Sequence, residues 1–187
     1  MTVSSAAVAP PEARAEREWF DEAVRRHYRL VFSISYQVLG SARDAEDAAQ
    51  EAFLRAYRAR TSLETPGAAE AWLARIAHNT AADIGRRRGR DEAVRRVAAD
   101  RARAAAEDGA ASGPSIPNGG ADEERQRRMR AAIGSLPEAE AVVVALRFLE
   151  GLSATEIGAR LREEPGTVRV RLHRALKRLR AALPEEI

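Results

Sequence analysis

The sequence predicts an all-α fold: two small helical domains joined by a flexible linker, with a helix-turn-helix in the C-terminal one. Three observations predict it. Apolar residues recur at spacings of three and four through most of the chain, the period of helices with one face in a core. Much of the apolar content is alanine, which suits thin-cored bundles whose helices approach closely. Residues 91–124 break the pattern, first with Ala/Arg/Asp repeats and then with EDGAASGPSIPNGGADEE, where glycine, proline and serine dominate. The domain reading is a disordered tail at 1–15, a helical domain at 16–90, a linker at 91–124 and a second helical domain at 125–187. Part of the stretch from Asp91 to Glu107 has helical composition. As a flexible chain the linker spans roughly 30 Å root-mean-square.

The first helix is expected from about Glu16 to Leu39, stopped by Gly40. Phe20, Val24, His27, Val31, Ile34 and Val38 form its inner stripe. His27 is a boundary histidine on that stripe, since no second ligand pairs with it at metal spacing. Ser41 and Asp44 make a capping pair for the second helix, Ala42 to about Arg58. Ala45, Ala48, Ala49, Ala52, Phe53, Ala56 and Tyr57 face inward there. Its outer face carries Asp44, Asp47, Gln50, Glu51 and Leu54. Acids in a first turn suit the helix dipole, but Glu51 and the outward Leu54 need another reason. A docking face for a basic partner supplies one. A metal or acid–base site built on Asp44, Asp47 and Glu51 is the weaker reading, because no histidine or second acidic helix converges on them.

Residues 61–67 (TSLETPG) are expected to be a loop. The third helix is expected from about Ala68 to Arg88, with Ala69, Trp72, Leu73, Ile76, Thr80 and Ile84 inward. It ends in NTAADIGRRRGR, which carries Asn79, Asp83, Arg86, Arg87, Arg88 and Arg90. Cations at a helix C-terminus suit its dipole. Four arginines in five residues exceed that need and point to nucleic acid.

In the last block, Asp122–Ile133 reads as a helix. Leu136-Pro137-Glu138 opens another, running to about Leu149 with Val142, Val143, Leu146 and Leu149 on its apolar face. Ala154–Leu161 is short, Arg162–Pro165 turns the chain, and Gly166–Arg180 follows. That final helix holds six basic side chains and no acidic one. On a wheel, Val168, Leu172, Ala175, Leu176 and Leu179 share one arc. Val170, His173, Arg174 and Lys177 occupy the opposite arc, flanked by Arg169 and Arg180 on one side and Arg171 and Arg178 on the other. A solvated basic face is the plain reading of such a helix. Two short helices about a tight turn, the second one basic, form the helix-turn-helix pattern that reads a DNA groove. Thr167 lies in the first turn, where its hydroxyl and the free amides suit a phosphate.

Charge and composition bound the rest. Residues 16–90 hold 13 basic and 11 acidic residues, 91–124 hold 4 and 8, and 125–187 hold 13 and 8. Two basic blocks thus flank an acidic connector. Arginine supplies every base but Lys177, which suits phosphate and base-edge contacts. With no cysteine, disulfides and thiolate metal sites are excluded, and a reducing compartment is favoured. The N-terminal residues lack the pattern of a signal peptide, and no apolar run reaches membrane-spanning length, so no membrane contact of its own is expected. No phosphate loop, metal set, cofactor motif or catalytic triad appears, so the chain is not read as an enzyme.

Four segments together resemble the extracytoplasmic-function (ECF) group of bacterial RNA polymerase sigma factors: DAEDAAQEAF (44–53), WLARIAHNTAADIGRRR (72–88), SLPEAEAVVVALRFLEGLSATEIGARL (135–161) and GTVRVRLHRALKRLR (166–180). The first two fall in a sigma-two-like domain and the last two in a sigma-four-like domain. The resemblance implies a cytoplasmic specificity subunit that recruits core RNA polymerase to promoters. It implies docking of Asp47, Gln50, Glu51 and Leu54 on the β′ clamp helices, and of the C-terminal domain on the β flap. It implies −10 recognition and melting by Asn79, Asp83, Arg86, Arg87 and Arg88, with Asn79 lining a pocket for a flipped base. It implies −35 recognition by Thr167, Arg169, Val170, Arg171, His173, Arg174, Lys177 and Arg178. An anti-sigma factor is the further implied partner. The chain departs from the family pattern at Val170, where serine is usual, and at Glu163, where an apolar turn residue is usual. A stand-alone helix-turn-helix regulator, with the N-terminal helices as a dimerisation or sensing domain, remains the alternative.

Overall fold

A computed structural model describes residues 11–63, 65–106 and 121–183, and within them every regular element is helical. The helices are α1 (Pro11–Leu39), α2 (Ala42–Arg58), α3 (Ala69–Ala106), α4 (Ala121–Gly134), α5 (Glu138–Phe148), α6 (Ala154–Leu161) and α7 (Pro165–Ala181). Short 3-10 turns at Arg60–Ser62 and Pro66–Ala68 lie in the stretch expected to be a loop.

Two expectations are corrected. Residues 11–15, read as part of a disordered tail, belong to α1, and residues 1–10 lie outside the described part. The helix expected to stop at Arg88 runs on to Ala106 through the first half of the linker. Residues 91–106 are rich in alanine and arginine, both strong helix formers, and contain neither glycine nor proline. The glycine- and proline-rich residues 107–120 lie outside the described part.

The N-terminal helices pair through small residues. Ala45, Ala48, Ala49, Ala52 and Ala56 of α2 are almost fully buried, as are Ala74, Ala77 and Ala81 of α3. α1 supplies larger groups, with Leu30, Val31 and Ile34 in the core. Ser41 caps α2, its Oγ accepting the Asp44 amide at 3.4 Å. Phe20 packs edge-on against Phe53 and Tyr57, while Tyr28 stacks on Phe53. Tyr57, expected inside, is left exposed at the rim of that aromatic group.

α5 explains the way the two halves sit together. An ordinary amphipathic helix buries one stripe, but Ala141, Val142, Val143, Ala145 and Leu146 are all buried. α5 packs against α3 on one side and against α6 and α7 on the other. One apolar cluster therefore runs from Val31, Leu73 and Ala77 through Val142, Val143 and Leu146 to Ile157 and Val168. Each fully buried aliphatic side chain contributes about 1.5–3 kcal/mol.

Two glycines sit at close approaches, Gly40 at the joint and Gly158 within the C-terminal half. Gly40 has φ +71° and lies under the Arg130 guanidinium. Gly158 of α6 faces the next turn so closely that a Cβ would meet the Glu163 carbonyl oxygen at 2.6 Å. Glu163 N–H in turn donates to the Gly158 carbonyl at 2.9 Å. Ser153 and Glu156 start α6 with a reciprocal capping box, and Arg162 ends it in the left-handed conformation at φ 55°.

Candidate nucleic-acid and protein interfaces

Three surfaces hold the residues singled out in the sequence. The first is the outer face of α2. Asp47 and Gln50 are exposed and, among the described residues, make no ion pair or hydrogen bond. Leu54 is 52 % exposed beside them. A shallow apolar groove lined by Phe20, Tyr28, Phe53, Leu54 and Tyr57 adjoins this face. Glu51 is engaged by Arg55 at 2.8 Å, and Arg55 also reaches Asp83 at 3.4 Å. The Glu51 contact is the main cause of a raised Arg55 pKa. Asp44 is paired with Arg88 of α3. The three carboxylates of the metal reading are thus split between two arginine partners and solvent. No group of three metal-ligating side chains converges among the described residues.

The second surface is on α3. Arg75, Asn79, Asp83 and Arg86 lie one or two turns apart, along one stripe. Asp83 lies between Arg55 and Arg86 and holds both. Arg88 is drawn to Asp44, so of the arginine run Arg87 and Arg90 stay without an ion pair among the described residues. Asn79 has a partner that sequence spacing does not suggest. Its Nδ2 donates to Glu138 Oε2 of α5 at 2.7 Å. His78, beside it, is buried, and its Nε2 donates to the Ile133 carbonyl of α4 at 3.1 Å. Neither His78 nor Glu138 was among the expected site residues; their only signal is position in an apolar helix face and in a first turn.

The third surface is on α7, joined to α6 through residues 162–164. The wheel assigns most of its faces: Val168 and Ala175 are fully buried and Val170 is 49 % exposed, but Leu176, expected on the inner arc, is left exposed at its edge. Arg169, His173, Arg174 and Lys177 are exposed, and the three bases have no ion pair among the described residues. Two other bases are engaged. Arg171 Nη1 lies 2.6 Å from Glu163, and Arg178 Nε lies 3.1 Å from the buried Glu140. The expectation of several free amides in the first turn is also corrected. Pro165 has no N–H, and the Thr167 amide donates to the Glu164 carbonyl at 2.9 Å. The Thr167 side chain is exposed as expected.

Between the two halves a cavity of about 370 Å³ is lined by Ile34, His78, Ile133, Leu136, Phe148 and Leu179, among others. No helix of the described residues is long and apolar enough to cross a membrane.

The comparisons with known proteins follow the same division. Residues 23–91 match the Sigma-70 region 2 family, and residues 126–179 match Sigma-70, region 4. The chain is 39 % identical over 161 residues to the ECF RNA polymerase sigma factor SigE of Mycolicibacterium smegmatis, covering 86 % of this chain and 60 % of that protein. It is 36 % identical over 163 residues to the ECF RNA polymerase sigma-E factor of Escherichia coli K12, covering 87 % of this chain and 85 % of that one. The fold is similar to that of CnrH, solved in complex with the cytosolic domain of CnrY, with a TM-score of 0.50 and 22 % identity over 90 % of this chain and 92 % of that one. With both sigma-70 regions in order on one helical chain, and relatives aligned across nearly its whole length, the protein belongs to the ECF family of RNA polymerase sigma factors.

Proposed function

We propose that the chain is a non-catalytic, cytoplasmic specificity subunit that binds core RNA polymerase and selects promoters by their −10 and −35 elements. The observation that carries this reading is the grouping of three surfaces on one chain. An acidic and apolar face on α2 suits a basic helical partner, here the β′ clamp helices. An asparagine-and-arginine stripe on α3 suits a melted strand, where amide and guanidinium contacts offset the cost of extruding a base. The unpaired bases and exposed Val170 of α7 suit a duplex groove, where arginine reads guanine edges and an apolar methyl meets thymine. The α6–turn–α7 segment is then the helix-turn-helix, and the C-terminal half also docks on the β flap. Membership of the family adds an anti-sigma factor as a partner.

Run-off transcription with purified core polymerase on a genomic fragment library tests this reading. Initiation at a restricted promoter set is expected only when core and the chain are both present. Asp47→Arg with Glu51→Arg is expected to abolish co-purification with core polymerase and initiation, with the circular dichroism of the helices unchanged. Tight, sequence-specific duplex binding by the free chain, with no effect on initiation by core, would establish the stand-alone regulator instead.

A further inference from the structure

The part of α3 beyond Arg88 is a helix where a linker was expected, and it presents a face of its own. The stripe that carries Asn79 and Arg86 continues through Arg90, Val94, Val97 and Arg101, all within one arc of about 100°. Asp91, Glu92 and Asp100 fall outside that arc. Every residue from Arg86 to Arg101 is exposed. Val94 is 68 % exposed and Val97 50 %. Arg90 and Arg101 make no ion pair among the described residues. The acids counted for the connector lie mostly elsewhere: residues 91–106 hold 4 basic and 3 acidic residues, and 107–124 hold 5 acidic residues and no basic one.

A helix that only met water would have no use for two exposed valines, since β-branched residues are weaker helix formers than the alanines around them. Their position between two free arginines suggests what they meet. Arg90 and Arg101 stand about 16 Å apart along the helix axis. The major groove of B-DNA is about 12 Å wide and admits an α-helix. Arginines at this spacing reach phosphates on both banks of the groove, while the valine methyls between them face base edges, where thymine presents a methyl of its own. An acidic protein surface would also answer the arginines. Continuity with Asn79 and Arg86 makes nucleic acid the favoured partner.

We propose that residues 90–101 of α3 form a further DNA-contacting surface, which lies along a duplex groove with Arg90 and Arg101 on phosphates and Val94 and Val97 between them. This rests on the reading of Asn79 and Arg86 as nucleic-acid contacts and extends that face from the melted strand to adjoining duplex. The surface is open in the chain as folded, so duplex reaches it with the C-terminal half in place.

The test is fluorescence anisotropy of a fluorescein-labelled, randomised duplex with the full chain, read as affinity and as its log–log slope against salt. Arg90→Ala with Arg101→Ala is expected to lower the slope by about 0.9 for each arginine. Arg95→Ala with Arg96→Ala makes the same charge change on the far side of the helix and is expected to leave the slope close to that of the parent. Val94→Ala with Val97→Ala is expected to weaken binding about threefold through lost apolar contact, at an unchanged slope because methyl groups carry no charge. Alanine is the best helix former, so all three variants keep α3 helical. Equal slopes for the two arginine pairs, whether both fall or neither does, overturn the proposal. Loss of co-purification with core polymerase by the Arg90 and Arg101 variant, at unchanged duplex affinity, assigns the face to a protein partner and overturns it as well. Failure of the underlying reading shows elsewhere: run-off initiation by Asn79→Ala equal to that of the parent would overturn the −10 assignment, whatever the duplex slopes.

Discussion

Arg171 and Arg178 already have partners within the chain, and this changes what they offer to DNA. Glu163 replaces the apolar residue usual at its turn, and its carboxylate meets Arg171 with both side chains about a quarter exposed. The structure turns this departure from the family pattern into an ion pair that spans turn and helix. A paired arginine releases little counterion when DNA arrives. An unpaired one that neutralises a phosphate steepens the log–log salt dependence of binding by about 0.9. Arg171→Ala is therefore expected to leave the salt slope of holoenzyme binding to promoter duplex unchanged, whereas Glu163→Ala is expected to steepen it by about 0.9 as Arg171 is freed. A shallower slope for Arg171→Ala would show that the pair opens on DNA and that Arg171 is a phosphate contact after all. The faces of α7 were legible because a 3.6-residue period determines which side chain points where. The engagement of Asn79 was not, because its partner lies 59 residues away and no local pattern encodes that distance.

At the scale of the element, the turn between α6 and α7 depends on Gly158. Glu163 must approach within hydrogen-bond distance of α6 for the helices to meet at this angle, and the missing Cβ of Gly158 makes room for it. The obstacle to any side chain there is backbone, which cannot rotate aside. Gly158→Ala is expected to destabilise the chain by roughly 1–3 kcal/mol through overpacking, read as a lowered midpoint in urea unfolding, even though alanine is the better helix former. A gain in stability would mean that the turn relaxes freely and that the close approach is incidental. Local rules did well for such short elements: Ser41, Gly40 and the alanine stripe of α2 placed that helix to the residue. They did poorly for α3. Residues 91–106 carry no regular apolar stripe, and the change of composition read as a linker, yet nothing in them stops a helix already under way. Propensity alone extended it, and the period-based reading had no signal for propensity without burial.

At the scale of the whole molecule, the run AVVVAL in α5 was read as one apolar face, but its excess of valine matches burial on two sides. That second side carries the joint between the halves, and the joint has an electrostatic consequence at its edge. Burial depresses the His27 pKa below its ordinary 6.5, and the charges of Arg26 and Arg160 depress it further. Glu70, which pairs with Arg160, is pushed the other way from 4.5, chiefly by burial and slightly by Glu150, against the pull of Arg160. The signs separate the two groups by pH window. Above 6.5 His27 is neutral in the folded and unfolded chain and contributes no pH dependence. As the pH falls through 6.5 the unfolded chain takes up a proton first, so stability is lost. Glu70 acts nearer its own range and in the opposite sense, since the folded chain there takes up the proton first. Between pH 7.5 and 5.5 the His27 effect therefore leads, and it acts where Arg160 of α6 meets the N-terminal helices. The urea midpoint of the parent chain is expected to fall over that interval, and that of His27→Gln is expected to fall less, with the two converging at pH 7.5 apart from a constant offset. Parallel curves for parent and variant would show that His27 titrates alike in both states, and that Arg160 is not close enough to be felt.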